Sequence, residues 1–257
     1  MEITGARVLL TGASGGLGQA IARDLAGRGA SLVLTARRTA TIEALADELG
    51  AEAVTADLCD RADVDRLAAL SADVDILIAN AGIGSDRPVD EAVPAEIDES
   101  IDVNLRAPIQ MTTAFVQAHR SAGRPGHVVL IGSLSGLAPS PNTFMYNATK
   151  FGLRGFALSL RQDLHGTDVG LSIVEPSFIR DAGMFAEGDI DLPAGVRTCS
   201  PADVAHGVAK AIARDVAEVF VAPLELRVGA TLGSVAPGLT ARVMRAVDAG
   251  SRTGNRG

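Results

Sequence analysis

The chain has one tyrosine, two lysines, two cysteines and no tryptophan in 257 residues, and each scarcity narrows what it can be. Neither Cys59 nor Cys199 has a Cys or His neighbour at metal-ligand spacing. One disulfide would be a poor framework for so long a chain, so two reduced thiols in a reducing compartment are expected. The four histidines (His119, His127, His165, His206) show no paired spacing and no H-E-x-x-H. They are expected at the surface or at helix ends, with no metal site. No G-x-S-x-G points to a hydrolase, and no Gly-Lys-Ser/Thr completes a P-loop. Asp73 and Asp75 flank an apolar run and are expected to be solvated. A spanning segment is also missing: Pro125 to Thr149 contains three prolines, and Val228 to Ala241 is too short to cross a bilayer. The N-terminus has neither the basic region nor the cleavage site of a signal peptide. A net charge of -8 argues against nucleic-acid binding, which needs a basic surface. A soluble, cytoplasmic protein is expected.

What is present is core material: 47% of residues are hydrophobic. Short runs rich in Val, Ile and Leu occur at Arg7–Leu10, Ser31–Ala36, Ala53–Ala56, Val74–Ala79, His127–Ile131, Leu171–Val174 and Glu218–Val221. They do not alternate, as expected of parallel strands covered on both faces. Helical patterns fill the intervals: Gly16–Arg28, Thr39–Leu49, Arg61–Leu70, Glu96–Ala122, Thr143–His165 and Pro201–Arg214, the last with Ser200 as N-cap. Right-handed crossovers then predict an α/β fold, a doubly wound Rossmann-type parallel sheet of about seven strands with helices on both faces. No repeat or linker divides it, so residues 1–257 are read as a single domain. Residues 177–199 lack a period and are read as a substrate loop. Residues 223–257 form an apolar, basic tail, expected as two short helices broken at Pro237-Gly238.

The first strand runs into Thr11-Gly12-Ala13-Ser14-Gly15-Gly16-Leu17-Gly18. Glycines let backbone approach a pyrophosphate, and the free N–H groups of the following helix favour an anion. Ser14 adds a hydroxyl. Glycines also serve tight turns for conformational reasons alone, and position after the first strand favours the dinucleotide reading. At the end of the second strand stand Arg37 and Arg38, with no Asp or Glu between Asp24 and Glu43. An NAD site would place a carboxylate there, whereas guanidinium groups suit a 2′-phosphate. NADP(H) is therefore favoured over NAD(H), against the plainer reading of two solvated arginines.

With Asn80-Ala81-Gly82, Ser133 and Tyr146-Asn147-Ala148-Thr149-Lys150 added in order, the sequence resembles the short-chain dehydrogenase/reductase family, in its short single-domain branch. Thr11–Gly18 is similar to that family's T-G-x-x-x-G-x-G. The resemblance implies that Gly12, Ser14, Gly16, Leu17 and Gly18 hold the cofactor, with Asp57 and Leu58 at the adenine. It implies that Asn80, Ala81 and Gly82 buttress sheet and cofactor, and that Pro176 and Ile179 lie against the nicotinamide. Ser177 stands where a Gly is usual and Asp181 where a Thr is common. Asn104 corresponds to the family's helix asparagine, implied to hold a proton-passing water, and Lys150 is implied to grip the nicotinamide ribose. Glu96–Ala122 and Thr143–His165 are implied to pair across subunits, giving a homodimer or homotetramer.

The chemistry can also be read from the residues. Tyr146 and Lys150 lie four positions apart and share a helix face. A free phenol has a pKa near ~10, and an adjacent ammonium stabilises the phenolate. Tyr146 then accepts an alcohol's proton in oxidation and returns one in reduction, while Ser133 holds the substrate oxygen. A chain that places one of its two lysines four residues after its only tyrosine makes this reading specific. Simpler roles exist for each residue: Ser133 as a turn residue, Asn104 as a backbone-bonding helix residue, Tyr146 as packing.

Phe178, Ile179, Met184, Phe185, Ile190 and Leu192 suggest a hydrophobic carbonyl or secondary alcohol as substrate. The tail is open to three readings, in order: completing the pocket, a subunit contact, or peripheral contact with lipid. The rival functions are a reductase of carrier-tethered 3-oxoacyl groups and a catalytically silent NADP(H)-binding regulator.

Overall fold

The computed structural model describes residues 1–84, 88–181, 197–238 and 242. Seven strands form one sheet: β1 Arg7–Thr11, β2 Ser31–Ala36, β3 Glu52–Thr55, β4 Ile76–Ala79, β5 Gly126–Ile131, β6 Val169–Pro176 and β7 Glu218–Val221. Their order is β3-β2-β1-β4-β5-β6-β7, and every neighbouring pair is parallel.

The unbroken apolar runs follow from burial on both faces. Val8 and Leu10 pack with Ile76, Ile78, Val129 and Ile131 into one core layer. Leu9, Leu77, Val128 and Leu130 belong to the layer on the opposite face. The helices α1 Gly16–Gly27 and α2 Thr39–Leu49 cover the first face, together with α7 Pro201–Arg214. On the second face lie α3 Arg61–Ser71, α5 Ala107–Ala122 and α6 Phe144–Asp163. The expected N-cap of α7 is realised as a capping box, with Ser200 and Asp203 bonding each other's backbone N–H.

The expected helix over Glu96–Ala122 is broken. Helix α4 covers Pro94–Ile101, a π-helical turn covers Asp102–Arg106, and α5 follows. Pro108, in the first turn of α5, has no N–H to give to the carbonyl of Asn104, and a tertiary contact holds the turn. Asn104 reaches across to the segment after β4, where its Oδ1 accepts from Ile83 N–H at 2.8 Å and its Nδ2 donates to Ile83 O at 2.9 Å. Turns of this kind recur at functional sites.

Two side-chain expectations, for His127 and Asp75, need correction. His119 stands in the last turn of α5, as expected of a helix end, and is 0% exposed, whereas His127 is 2% exposed and at neither the surface nor a helix end. His119 lies between the carbonyls of Pro125 and Val74, at 3.0 and 2.9 Å, and His127 bonds Ser172 Oγ at 3.0 Å. These partners let the rings enter the core without losing hydrogen bonds. Asp75 is not simply solvated, since it accepts the N–H of Arg7 at 2.8 Å and so ties β1 to the start of β4. In the tail, α8 Leu224–Val235 is formed; apart from Arg242, the chain from Leu239 onward lies outside the described residues.

Candidate active site

β1 is flanked by β2 on one side and β4 on the other, so the crossovers leave it in opposite directions. A crevice opens at such a point beyond the C-terminal strand ends. A cleft of about 970 Å³ occupies it. Gly12, Ser14, Gly16, Leu17 and Gly18 line it from the turn after β1, and Arg37 and Arg38 from the end of β2. Asp57 and Leu58 join from β3, Asn80, Ala81 and Gly82 from β4, and Ser133 from β5. Tyr146 and Lys150 reach in from α6, and Pro176 and Ile179 from β6. Every residue singled out for this site except Asn104 lines the one cleft.

The turn after β1 is packed too closely for side chains. Gly12 has φ +68°, and a Cβ on it would sit 2.7 Å from Ala81 Cα. Thr11, not singled out from the sequence, organises the contact. Its Oγ1 accepts from Asn80 N–H and Ala81 N–H, both at 3.0 Å, while Asn80 Nδ2 donates to Thr11 O at 2.9 Å. Helix α1 begins at Gly16 with no side-chain cap and no acidic residue in its first turn. Its first N–H groups and its positive dipole end therefore face the cleft without a carboxylate to neutralise them, which suits an anion.

The two arginines diverge. Arg38 donates to Ser14 O at 2.8 Å and to Ser14 Oγ at 3.3 Å, beside the glycine turn. Arg37 points to Glu99 of α4, 3.4 Å away, and is well exposed. Asp57 is held locally: its Oδ1 accepts from Cys59 N–H at 3.0 Å, and its own N–H donates to Asp63 at 2.7 Å.

At the other end of the cleft, α6 places Lys150 one turn beyond Tyr146, with the ammonium 5.6 Å from the ring centroid. Lys150 is 4% exposed and donates to Ile131 O at 2.8 Å. Burial pushes its pKa down to about 8, and Glu175 acts in the opposite sense. Ser133 follows β5 by two residues and is half-buried, with its Oγ accepting from Ser135 N–H at 3.1 Å. Asn104 stands behind this group: besides Ile83, its Nδ2 donates to Thr149 Oγ1 at 3.3 Å. Both ends of its amide are thus engaged in bracing the chain after β4 against α6. Sequence reasoning passed over Glu175, a fully buried carboxylate on β6 whose Oε2 accepts the N–H of Ser133 at 2.5 Å. The available signal was an acidic residue inside the apolar run Ile173-Val174-Glu175-Pro176.

Beyond β6, Ser177 donates its N–H to Val221 O at 3.0 Å. Ile179 forms a parallel bridge with Cys199, and Arg197 binds Glu225 of α8 at 2.7 Å. Asp181 has φ +68°, a conformation in which Asp is more frequent than most side chains. Met184, Phe185, Ile190 and Leu192 lie outside the described residues. From α8, Glu225, Leu226, Gly229 and Ala230 line the cleft. Cys59 and Cys199 are both free. Among the described residues no cluster of ligands could hold a metal ion, and no helix is long and apolar enough to cross a membrane.

Comparison with known proteins gives a consistent result. A family model described as short chain dehydrogenase matches residues 6–191. An NADP-dependent 3-hydroxy acid dehydrogenase of Salmonella typhi is 38% identical over 179 residues, covering 67% of this chain and 72% of the relative. A ketoacyl reductase of Nostoc sp. is 32% identical over 228 residues, covering 85% of this chain and 79% of the relative. A solved short-chain dehydrogenase from Sphingobium yanoikuyae in complex with NADPH matches with a TM-score of 0.77 at 27% identity, covering 97% of this chain and 94% of the other. The matched region runs from β1 through the glycine turn, the Asn80 corner and the Tyr146–Lys150 helix to β6, and on that ground the chain belongs to the short-chain dehydrogenase family.

Proposed function

We propose that the protein is an NADP(H)-dependent oxidoreductase that interconverts a hydrophobic carbonyl compound and its secondary alcohol. One observation carries the reading: the only tyrosine of the chain lines the cleft with a buried ammonium 5.6 Å from its ring. The bound nicotinamide would supply the hydride in reduction and accept it in oxidation.

The chain's own residues supply the rest. The close-packed turn at Gly12 and the uncapped start of α1 fit a pyrophosphate. Arg38 with Ser14 fits a 2′-phosphate, as do the NADP(H) named for the Salmonella relative and the Sphingobium structure. Lys150 favours the phenolate of Tyr146, so that Tyr146 Oη takes a proton from an alcohol or, in the reverse direction, gives one to the carbonyl oxygen. Ser133 accepts from Ser135 N–H, which leaves its hydroxyl hydrogen to donate to the substrate oxygen. Asn104 acts as a brace behind Lys150.

Leu134, Pro139, Phe178, Leu226 and Ala230 supply apolar lining around the substrate end, where Glu225 is the charged group contributed by α8. Arg197 pairs with that carboxylate and cancels its charge, so it is the apolar lining that supports a neutral, hydrophobic substrate. The Nostoc relative's name supports a second reading, reduction of a carrier-tethered 3-oxoacyl group, and a thioester panel separates the two. A cytoplasmic location accords with the two free thiols. Assembly as a homodimer or homotetramer accords with the exposure of Ile101 and Phe151, on α4 and α6, and light scattering tests it.

The function is tested with Tyr146→Phe. NADPH consumption across a carbonyl panel should fall roughly 10²–10⁴-fold, the usual contribution of a positioned acid–base group, with NADPH binding retained. Turnover that survives the substitution would sink the assignment.

A further inference from the structure

Glu175 is the one acidic side chain among the described buried residues, and it lies directly beneath the residues that the proposed reaction uses. A Cβ on Gly132 would collide with its whole carboxylate, so the strand end can run over it only because residue 132 is glycine. The segment Ile131–Ser133 is held by two groups of opposite charge. Lys150 Nζ donates to Ile131 O at 2.8 Å, and Glu175 Oε2 accepts the N–H of Ser133 at 2.5 Å. Glu175 Oε1 is buried with no hydrogen-bond partner, an expensive arrangement unless the group has a use. The nearest guanidinium, Arg154 on α6, is 3.9 Å from Oε1 and is bonded more closely to Glu218 Oε1, at 2.7 Å.

We propose that Glu175 is a positioning residue that fixes Ser133 from beneath and supplies the counter-charge for the buried ammonium of Lys150. The proposal rests on the reading of Tyr146 as proton donor and deepens it. The charged groups that act on Glu175 are Lys150 and Arg154 from α6 and Glu218 from β7. The carboxylate therefore reaches the phenol by way of Lys150. Burial pushes Glu175 up to about 8, against the Ser133 N–H and the two cations, and burial pushes Lys150 down to about 8. The two groups act on each other: a charged carboxylate at Glu175 favours the protonated form of Lys150. Without it Lys150 loses its proton at lower pH, and the phenolate of Tyr146 loses its stabilising cation in the range where it forms.

The chain permits a direct test, because it has one tyrosine and no tryptophan. Ultraviolet absorbance of the phenolate reads Tyr146 alone, without any substrate. Glu175→Gln keeps an acceptor for Ser133 N–H and removes only the charge. The midpoint of the Tyr146 titration should rise by at least about half a pH unit, and the acid limb of the pH–rate profile should move the same way. Glu175→Asp keeps the charge and withdraws the contact to Ser133. Its midpoint should stay within about 0.2 unit of the parent while kcat falls several-fold with KM for NADPH unchanged. An unmoved midpoint in Glu175→Gln, or in Glu175→Asp a shift as large as that expected of the Gln variant, overturns the proposal. A parent midpoint near that of a free phenol that Lys150→Met leaves in place would instead overturn the functional reading on which it rests.

Discussion

The sheet buries titratable groups at both ends, and the two ends treat them differently. At the N-terminal edge, His127 of β5 is 2% exposed, and burial pushes its pKa down to about 4. Its ring meets the hydroxyl of Ser172, a partner that a neutral imidazole can use fully, and Asp215 stands 3.9 Å away. At the C-terminal edge, Lys150 and Glu175 are buried as deeply, and burial pushes the ammonium down and the carboxyl up, each to about 8, with each acting on the other. Burial alone therefore does not mark function. His127 lies among strand starts and takes no part in the cleft, whereas Lys150 opens onto the cavity that Tyr146 and Ser133 share.

Four variants sharpen or break that contrast. Lys150→Met should have the largest effect, lowering turnover about 10²–10⁴-fold without changing acid stability; single-turnover rates and a thermal melt at pH 4 check both halves. His127→Gln should do the reverse. The folded histidine binds its proton less readily than the unfolded one, whose pKa is near 6.5, so its contribution is complete above that value and is lost as pH falls through about 4. On the order of 3 kcal/mol of the parent's stability should disappear across that window, and urea melts of the variant should lack the drop. Its activity at pH 7 should stay within about twofold of the parent; a large loss would abolish the distinction between the two ends. Arg38→Ala should act most locally, weakening NADPH roughly 10–100-fold as expected for a charge-assisted contact and leaving NADH untouched. Arg37→Ala should do less, because Glu99 already engages that guanidinium. Equal losses for both cofactors would remove the 2′-phosphate site from the account.

How much of this was legible in the sequence depends on the range of the forces involved. Val8-Leu9-Leu10 could be read as a buried strand because both faces of the sheet are covered, which leaves a local trace. Ser200 and Pro201 announced α7 because capping is settled within one turn. The break at Asp102–Arg106 left a trace that was passed over: Pro108 lies just beyond it and has no N–H to give to the carbonyl of Asn104. The bond from Asn104 to Ile83, 21 residues away, belongs to the fold and could not be read locally. His127 was misjudged for the same reason, since the hydroxyl that lets it be buried comes from Ser172 on β6. The site residues were recognisable as an ordered set of motifs, whereas Glu175 was missed because its partners Ser133, Lys150 and Arg154 converge only in the fold. Thr11 was quoted within a motif, yet its work on Asn80 and Ala81 depends on β1 lying beside β4.

The bridge between Ile179 and Cys199 has a consequence for how such a chain can change. The excursion between them departs from the sheet and rejoins it at a single pinched point, secured by backbone bonds between Phe178, Arg180 and Cys199. Where two positions are already joined in this way, a longer connection between them costs only the slowly growing entropy of loop closure. Changes of length between Ile179 and Cys199 are therefore expected to leave the register of β6 and β7 as it is.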